Sequence, residues 1–193
     1  GVAGTPVEDY QGILIHDHEK TYYRYGCGHQ ECLAHVLRYL KGSMENEPER
    51  KWNQAMHCLL REMIHYVNGV EPGGERDPVT ICGYESRYDQ ILETALNEYA
   101  DVPCSDYYRD GYNLALRMKE YREAHLLFPH DSRVPTTNNL AERLLRFIKR
   151  KQNQAVSLRS IKSLELLCDS MSVLFLMRKE GGSLYDKVST VFG

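Results

Sequence analysis

The chain has 193 residues, 42% of them hydrophobic, with a mean hydropathy of -0.53, the profile of an ordinary soluble globular protein with room for one core or a main domain and a helical subdomain. No run approaches the roughly 20 apolar residues that cross a bilayer, and the N-terminus lacks the basic and apolar regions of a signal peptide, so neither a membrane nor a secreted protein is expected. A net charge of -3, from 24 Lys and Arg against 27 Asp and Glu, excludes a protein that is basic throughout. The six cysteines (27, 32, 58, 82, 104 and 168) are too scattered for a disulfide scaffold and predict reduced thiols in the cytoplasm. The first residue is Gly, not Met, which fits a fragment of a longer protein.

In chain order, "GILIHD" (12–17) is a short apolar run between Gly and Asp and predicts a buried strand. "HEKTYYRYGCGHQ" predicts a short helix or turn ending near Gly26 and Gly28. From Glu31 to Lys41, Cys32, Val36, Tyr39 and Leu40 recur at helical spacing, with Gly42 as the stop, and "SMENEPERK" reads as a polar loop. A longer helix, Arg50 to Val67, places Trp52, Met56, Leu59, Leu60, Met63, Ile64 and Val67 on one face. "NGVEPGGERDP" is the clearest breaker and predicts a mobile Gly/Pro loop near 68–80. Helices over 84–100 and 106–126 follow, carrying Tyr88, Ile91, Leu92, Ala95 and Leu96, then Leu114, Ala115 and Met118. Pro129 and Pro135 frame a loop into a basic helix. Ile161 to Arg178 is strongly apolar, Gly181 and Gly182 stop it, and Ser183 caps a short last helix. The sum is mostly α with a small β remnant. One buried strand cannot stand alone, because its backbone groups need partners. Those partners are either weak strands or lie outside the chain.

The basic helix lies within "PTTNNLAERLLRFIKRKQ" (135–152). From Arg133 to Lys162 there are eight Lys or Arg against Glu142 alone, an electrostatic footprint for a polyanion. At about 100° per residue, Arg143, Arg146, Lys149 and Arg150 fall within about 100° of Glu142, whereas Ala141, Leu144, Leu145 and Ile148 form an apolar back. Two readings of Glu142 stay open. It closes a capping box with Asn139, a contribution of about 1 kcal/mol, on a solvated helix face. Or it binds a divalent cation while its neighbours hold phosphates. Asp17 has the same duality. It stands at the C-terminal end of the first strand, where open α/β sheets place their sites, yet it could cap the "HEKTYY" helix.

"CGHQECLAH" gathers Cys27, His29, Cys32 and His35 within nine residues. The spacing is tighter than in zinc fingers, so zinc is not expected. Cys32 reads as a small buried apolar group and His35 as a hydrogen-bonded core histidine on the same helix face. Tyr22, Tyr23 and Tyr25 could stack on bases, but core-edge positions with hydroxyls in water are the plainer reading.

In order and wording, "GILIHDHEKTYY", "HQECLAHVLRYLK" and "TNNLAERLLRFIKRKQ" resemble the DDE transposases of the insertion-sequence-66 type, over nearly the whole chain. The resemblance implies an RNase H-like core with an Asp, Asp, Glu triad. Asp17 matches its second acid and Glu142 its third, with Cys32, His35, Asn138 and Asn139 as supporting motif positions. The first acid lies upstream and has no match here. The implied fold is therefore a truncated RNase H-like α/β core with an α-helical insertion. Residues 1–42 would carry the second acid, 43–130 the insertion, and 131–193 the basic helix and last core helices. The resemblance further implies two Mg²⁺ (or Mn²⁺) ions about 4 Å apart, DNA strand cleavage and transfer, and a homo-oligomer acting on transposon ends and target DNA. Arg143, Arg146, Lys149, Arg150 and Lys151 would grip the DNA backbone. Without the first acid, this chain alone is expected to be inactive. A non-catalytic DNA-binding or structural module built on helix 139–152 is the competing reading, and a zinc-stabilised helical domain the third.

Overall fold

The computed structural model describes residues 4–71, 74–100, 110–154 and 160–192. These fall into two compact units, Gly1–Asn138 and Asn139–Gly193. The predicted start of a helix at 106 and Cys104 lie outside the described residues.

Unit 1 opens with β1 (Ile13–His16), a 3-10 turn (Lys20–Arg24) and β2 (Gly28–Glu31). The two strands pair in parallel, with Ile13 opposite Gly28 and His16 opposite Glu31. A second strand in "GHQE" corrects the expectation of a helix or turn through that stretch. Its polar residues carry no hydrophobic signal, but each finds a buried partner. The Gln30 amide donates to the His125 carbonyl (3.4 Å) and accepts from the Phe128 N–H (2.8 Å). Gly26 makes the tight return possible: its φ is 75°, and a Cβ there would come within 2.7 Å of the Gly12 carbonyl oxygen.

Helix α1 (Leu33–Asn46) runs through Gly42 instead of stopping there. A Cβ at Gly42 would meet nothing within 4 Å, so the glycine only weakens the helix, by about 1 kcal/mol, and packing of Leu33, Val36 and Leu40 outweighs it. The helix closes where the Glu47 N–H returns to the Ser43 carbonyl, one residue before Pro48. Helix α2 (Trp52–Gly69) buries Trp52, Met56, Leu59, Leu60, Met63 and Val67, with Ile64 at the edge of that face. Its first turn is capped from a distance, the Glu98 carboxylate accepting from the Lys51 and Trp52 N–H groups. Helix α3 (Pro78–Ala100) starts six residues earlier than expected. Asp77 accepts from the N–H groups of Val79 (3.2 Å) and Thr80 (3.0 Å), with Pro78 at the first helical position. The expected helix to 126 divides at Tyr121 into α4 (Asp110–Glu120) and α5 (Arg122–Leu126).

Helices α1 to α4 pack in sequence around one core, and α5 lies on β2. At its centre the buried Tyr88 hydroxyl donates to the Met118 carbonyl (3.1 Å) and lies 3.0 Å from His125 Nδ1. Gly111 lets α4 approach α1, since a Cβ there would collide with Glu47, Tyr99 and Ser43.

Unit 2 is α6 (Asn139–Gln154), α7 (Ile161–Lys179) and α8 (Leu184–Phe192), with α7 touching both others. Ser160 caps α7 through the Ser163 N–H (3.2 Å), and Gly181 and Gly182 follow it with φ of 78° and 80°. Ser183 accepts from the Asp186 N–H (3.3 Å), as its sequence position predicts. None of the described residues of this unit is buried, although α7 is apolar around its circumference. No described helix is long and apolar enough to cross a membrane.

Candidate functional site

Asp17 directly follows β1, its side chain 51% exposed. It does not cap the turn after it. That role belongs to Glu19, whose carboxylate accepts from the Thr21 N–H (3.2 Å) and hydroxyl (2.8 Å). Asp17 Oδ2 instead faces His35 Nε2 at 4.0 Å. His35 is 15% exposed and borders the open carboxylate. Cys32 is fully buried, as anticipated, but stands at the N-cap of α1 and not within it.

The start of α1 also receives the segment before the basic helix. The Leu33 N–H, an orphan donor of the first turn, reaches the Thr136 carbonyl (2.9 Å), and the Asn138 N–H reaches Cys32 Sγ (3.5 Å). Three stretches far apart in sequence, at Asp17, at Cys32–His35 and at Thr136–Asn138, thus meet in unit 1. Cys27 is exposed, and His29 Nδ1 pairs with His16 Nε2 at 3.4 Å. Among the described residues, Cys27, His29, Cys32 and His35 do not gather as one ligand set.

Beside Asp17 lies a polar network that residue spacing had not singled out. The Glu31 carboxylate, 1% exposed, accepts from His18 Nδ1 (2.6 Å), the Tyr23 hydroxyl (2.7 Å) and Arg117 Nη2 (2.8 Å), and His125 Nε2 is 3.1 Å away. Burial pushes the Glu31 carboxyl up, but bonds and charges from His125, Tyr23 and Arg117 override it and hold the group well below the usual carboxylate range. His18 takes a left-handed backbone (φ 69°) to reach it. Burial lowers the His18 pKa despite the neighbouring anion, so the neutral ring donates from Nδ1 to Glu31. Burial, then the neighbouring His29, also lowers His16, to about 4. The buried Nδ1 of His16 has no partner among the described residues, so the economical tautomer places the proton on Nε2, donating to His29. Tyr23 stacks among His16, His29 and Tyr121 with its hydroxyl on Glu31, which commits it to structure, not to bases. The only sequence signal for this network was the density of His and Tyr between 16 and 35.

On α6, Glu142 accepts from Arg146 Nη2 at 2.7 Å, one turn on. Asn139 is the first helical residue, so the cap position falls on Asn138 instead. Arg143, Arg146, Lys149, Arg150 and Lys151 are all exposed. The apolar back expected of α6 is not covered: Leu145 is 58% and Leu140 59% exposed, while Leu144 and Ile148 line a groove against α7.

Residues 2–165 match the family model described as Transposase IS66 family. No curated protein and no solved structure matches the chain. The matched span contains Asp17, the Cys32–His35 step and the whole of the basic helix, and the chain belongs to the IS66 family of transposases.

Proposed function

We propose that this chain is the part of a DDE transposase catalytic region that carries the second and third acids, Asp17 and Glu142, for metal-dependent DNA strand cleavage and transfer. The observation that carries the reading is Asp17 itself, a half-exposed carboxylate at the end of a parallel strand, committed to no cap and faced by an imidazole. Asn138, the motif position before the basic helix, is anchored on Cys32 in the same unit as Asp17. A parallel β1–β2 pair followed by helices supports an RNase H-like core, with residues 43–130 as its insertion.

The donors fit a hard divalent cation. Carboxylate oxygens with solvent access suit Mg²⁺ or Mn²⁺, which keep waters and share phosphate oxygens. Asp17 and Glu142 would hold it, and when bound it supplies Lewis-acid stabilisation of charge at the reacting phosphate. The chain's own cations do the positioning. Arg146 neutralises Glu142, and Arg143, Lys149, Arg150 and Lys151 stay exposed to grip the strand backbone. No residue here matches the family's first acid, so the chain alone is inactive in this reading, and cleavage belongs to a cytoplasmic homo-oligomer of the complete region.

In a catalytic region that includes the first acid, Asp17→Asn and Glu142→Gln should each abolish strand cleavage while duplex binding stays within about twofold. The Arg146–Glu142 pair favours one other reading, a non-catalytic DNA-binding module in which Glu142 only stabilises its helix. Cleavage that survives both substitutions would establish that module and remove the catalytic assignment.

A further inference from the structure

A groove of about 1030 Å³ is lined by α6 and α7, with Leu184 of α8 beside them. Its apolar lining includes Leu144, Phe147 and Ile148 from α6, Leu174 and Phe175 from α7, and Leu184. Arg143, Arg146, Arg150, Arg178 and Lys179 line it as well, and none of the described residues lining it is acidic. The surrounding apolar surface continues over Leu140 and Leu176, each more than half exposed. Contiguous apolar surface rimmed by charge marks an interaction site more often than idle surface.

We infer that this groove docks an acidic amphipathic helix of a partner protein. An apolar floor between two helices is the shape that takes a third helix, its own apolar stripe inward. The cations select the flanks of that helix, since Glu or Asp beside the stripe would meet five positive groups. A second copy of the same groove would oppose five cations with five more. DNA would satisfy the cations but leave leucine and phenylalanine without a match, because phosphate contacts gain nothing from them. Arg143, Arg146 and Arg150 are shared with the cations assigned to the DNA strand, whereas Arg178 and Lys179 belong to this groove alone, so those two and the apolar lining separate the inference from the catalytic reading.

The test uses the 193-residue chain and fluorescent helical peptides of about 18 residues, with Leu at i, i+3, i+4 and i+7 and Glu on the flanks. Saturable binding in the micromolar range is expected by fluorescence anisotropy. Arg178→Glu with Lys179→Glu should weaken it at least about tenfold with the helical circular dichroism unchanged, as should a peptide with Lys in place of Glu. If the charge-reversed protein unfolds, Phe175→Ala supplies the same test from the floor of the groove. A peptide of identical composition with its stripe scrambled should not bind. Equal binding of the scrambled peptide, absence of saturable binding, or a stable homodimer that the peptide cannot open would each overturn the inference.

Discussion

Glu31 shows how much one buried carboxylate can organise. It receives bonds from the residue after Asp17, from the 3-10 turn and from α4, with His125 of α5 in contact range. An ionised group so enclosed is tolerable only when donors surround it, and here three bond it directly. His16, His18 and His29 nearby are the opposite case, their pKa values lowered by burial. His16 has a folded pKa of about 4 against an unfolded value near 6.5, so below 6.5 the unfolded chain takes up a proton that the folded one refuses. Stability from this group is complete above pH 6.5 and is lost as the pH falls towards 4, by up to about 3 kcal/mol. His18 and His29 act in the same direction. Glu31 adds its own loss only below about 4.5, its unfolded value, where the unfolded chain protonates and the folded one does not. Thermal midpoints of the parent should therefore drop between pH 6.5 and 4.5, and His16→Leu should flatten that slope. A parent midpoint level across the interval would contradict the burial assigned to His16.

At the scale of elements, periodicity served well wherever one helix face is apolar. The stripes of α2 and α4 were legible from spacing alone, because burial of Met56, Leu60 and Met63, or of Leu114 and Met118, repeats with the helical turn. The boundaries were less legible. Gly42 carries a stop signal that the packing of α1 overrides, while the start of α3 lies in Asp77–Pro78, a cap and first-turn pair hidden inside a Gly/Pro-rich stretch. Asp77 holds two backbone donors of the first turn. Asp77→Ala should cost roughly 1 kcal/mol in urea unfolding, and Asp77→Asn should recover most of it. A loss under a few tenths of a kcal/mol would mean that Pro78 and tertiary contacts alone set this boundary. β2 was invisible for a different reason. Its register rests on backbone pairing and on the amide of Gln30, and neither leaves a mark in hydropathy.

For the whole molecule, charge divides as the units do. Residues 139–193 hold ten Lys and Arg against five Asp and Glu, net +5, and residues 1–138 carry -8. A polyanion should therefore engage the second unit and be repelled by the first. If four or five cations of α6 replace counterions on duplex DNA, the logarithm of affinity should fall with the logarithm of salt at a slope of about -4. Lys149→Ala or Arg150→Ala should each reduce that slope by about 1, equally for all sequences tested. A slope near zero, or strong sequence preference surviving at high salt, would set aside the phosphate role of this helix.

By itself the sequence determined the helical class, the faces of α2 and α4, the cationic character of α6 and the family, because spacing, charge and motif wording are local properties of the chain. Only the tertiary structure decided that "GHQE" is a strand, that Glu19 frees Asp17 from capping, that His35 faces that carboxylate and that Glu31 anchors the histidines beside it. Each of these depends on which remote donor or acceptor reaches a group once the chain is folded. The uncovered groove of the second unit belongs there too, since an apolar helix face looks the same in sequence whether or not anything packs against it.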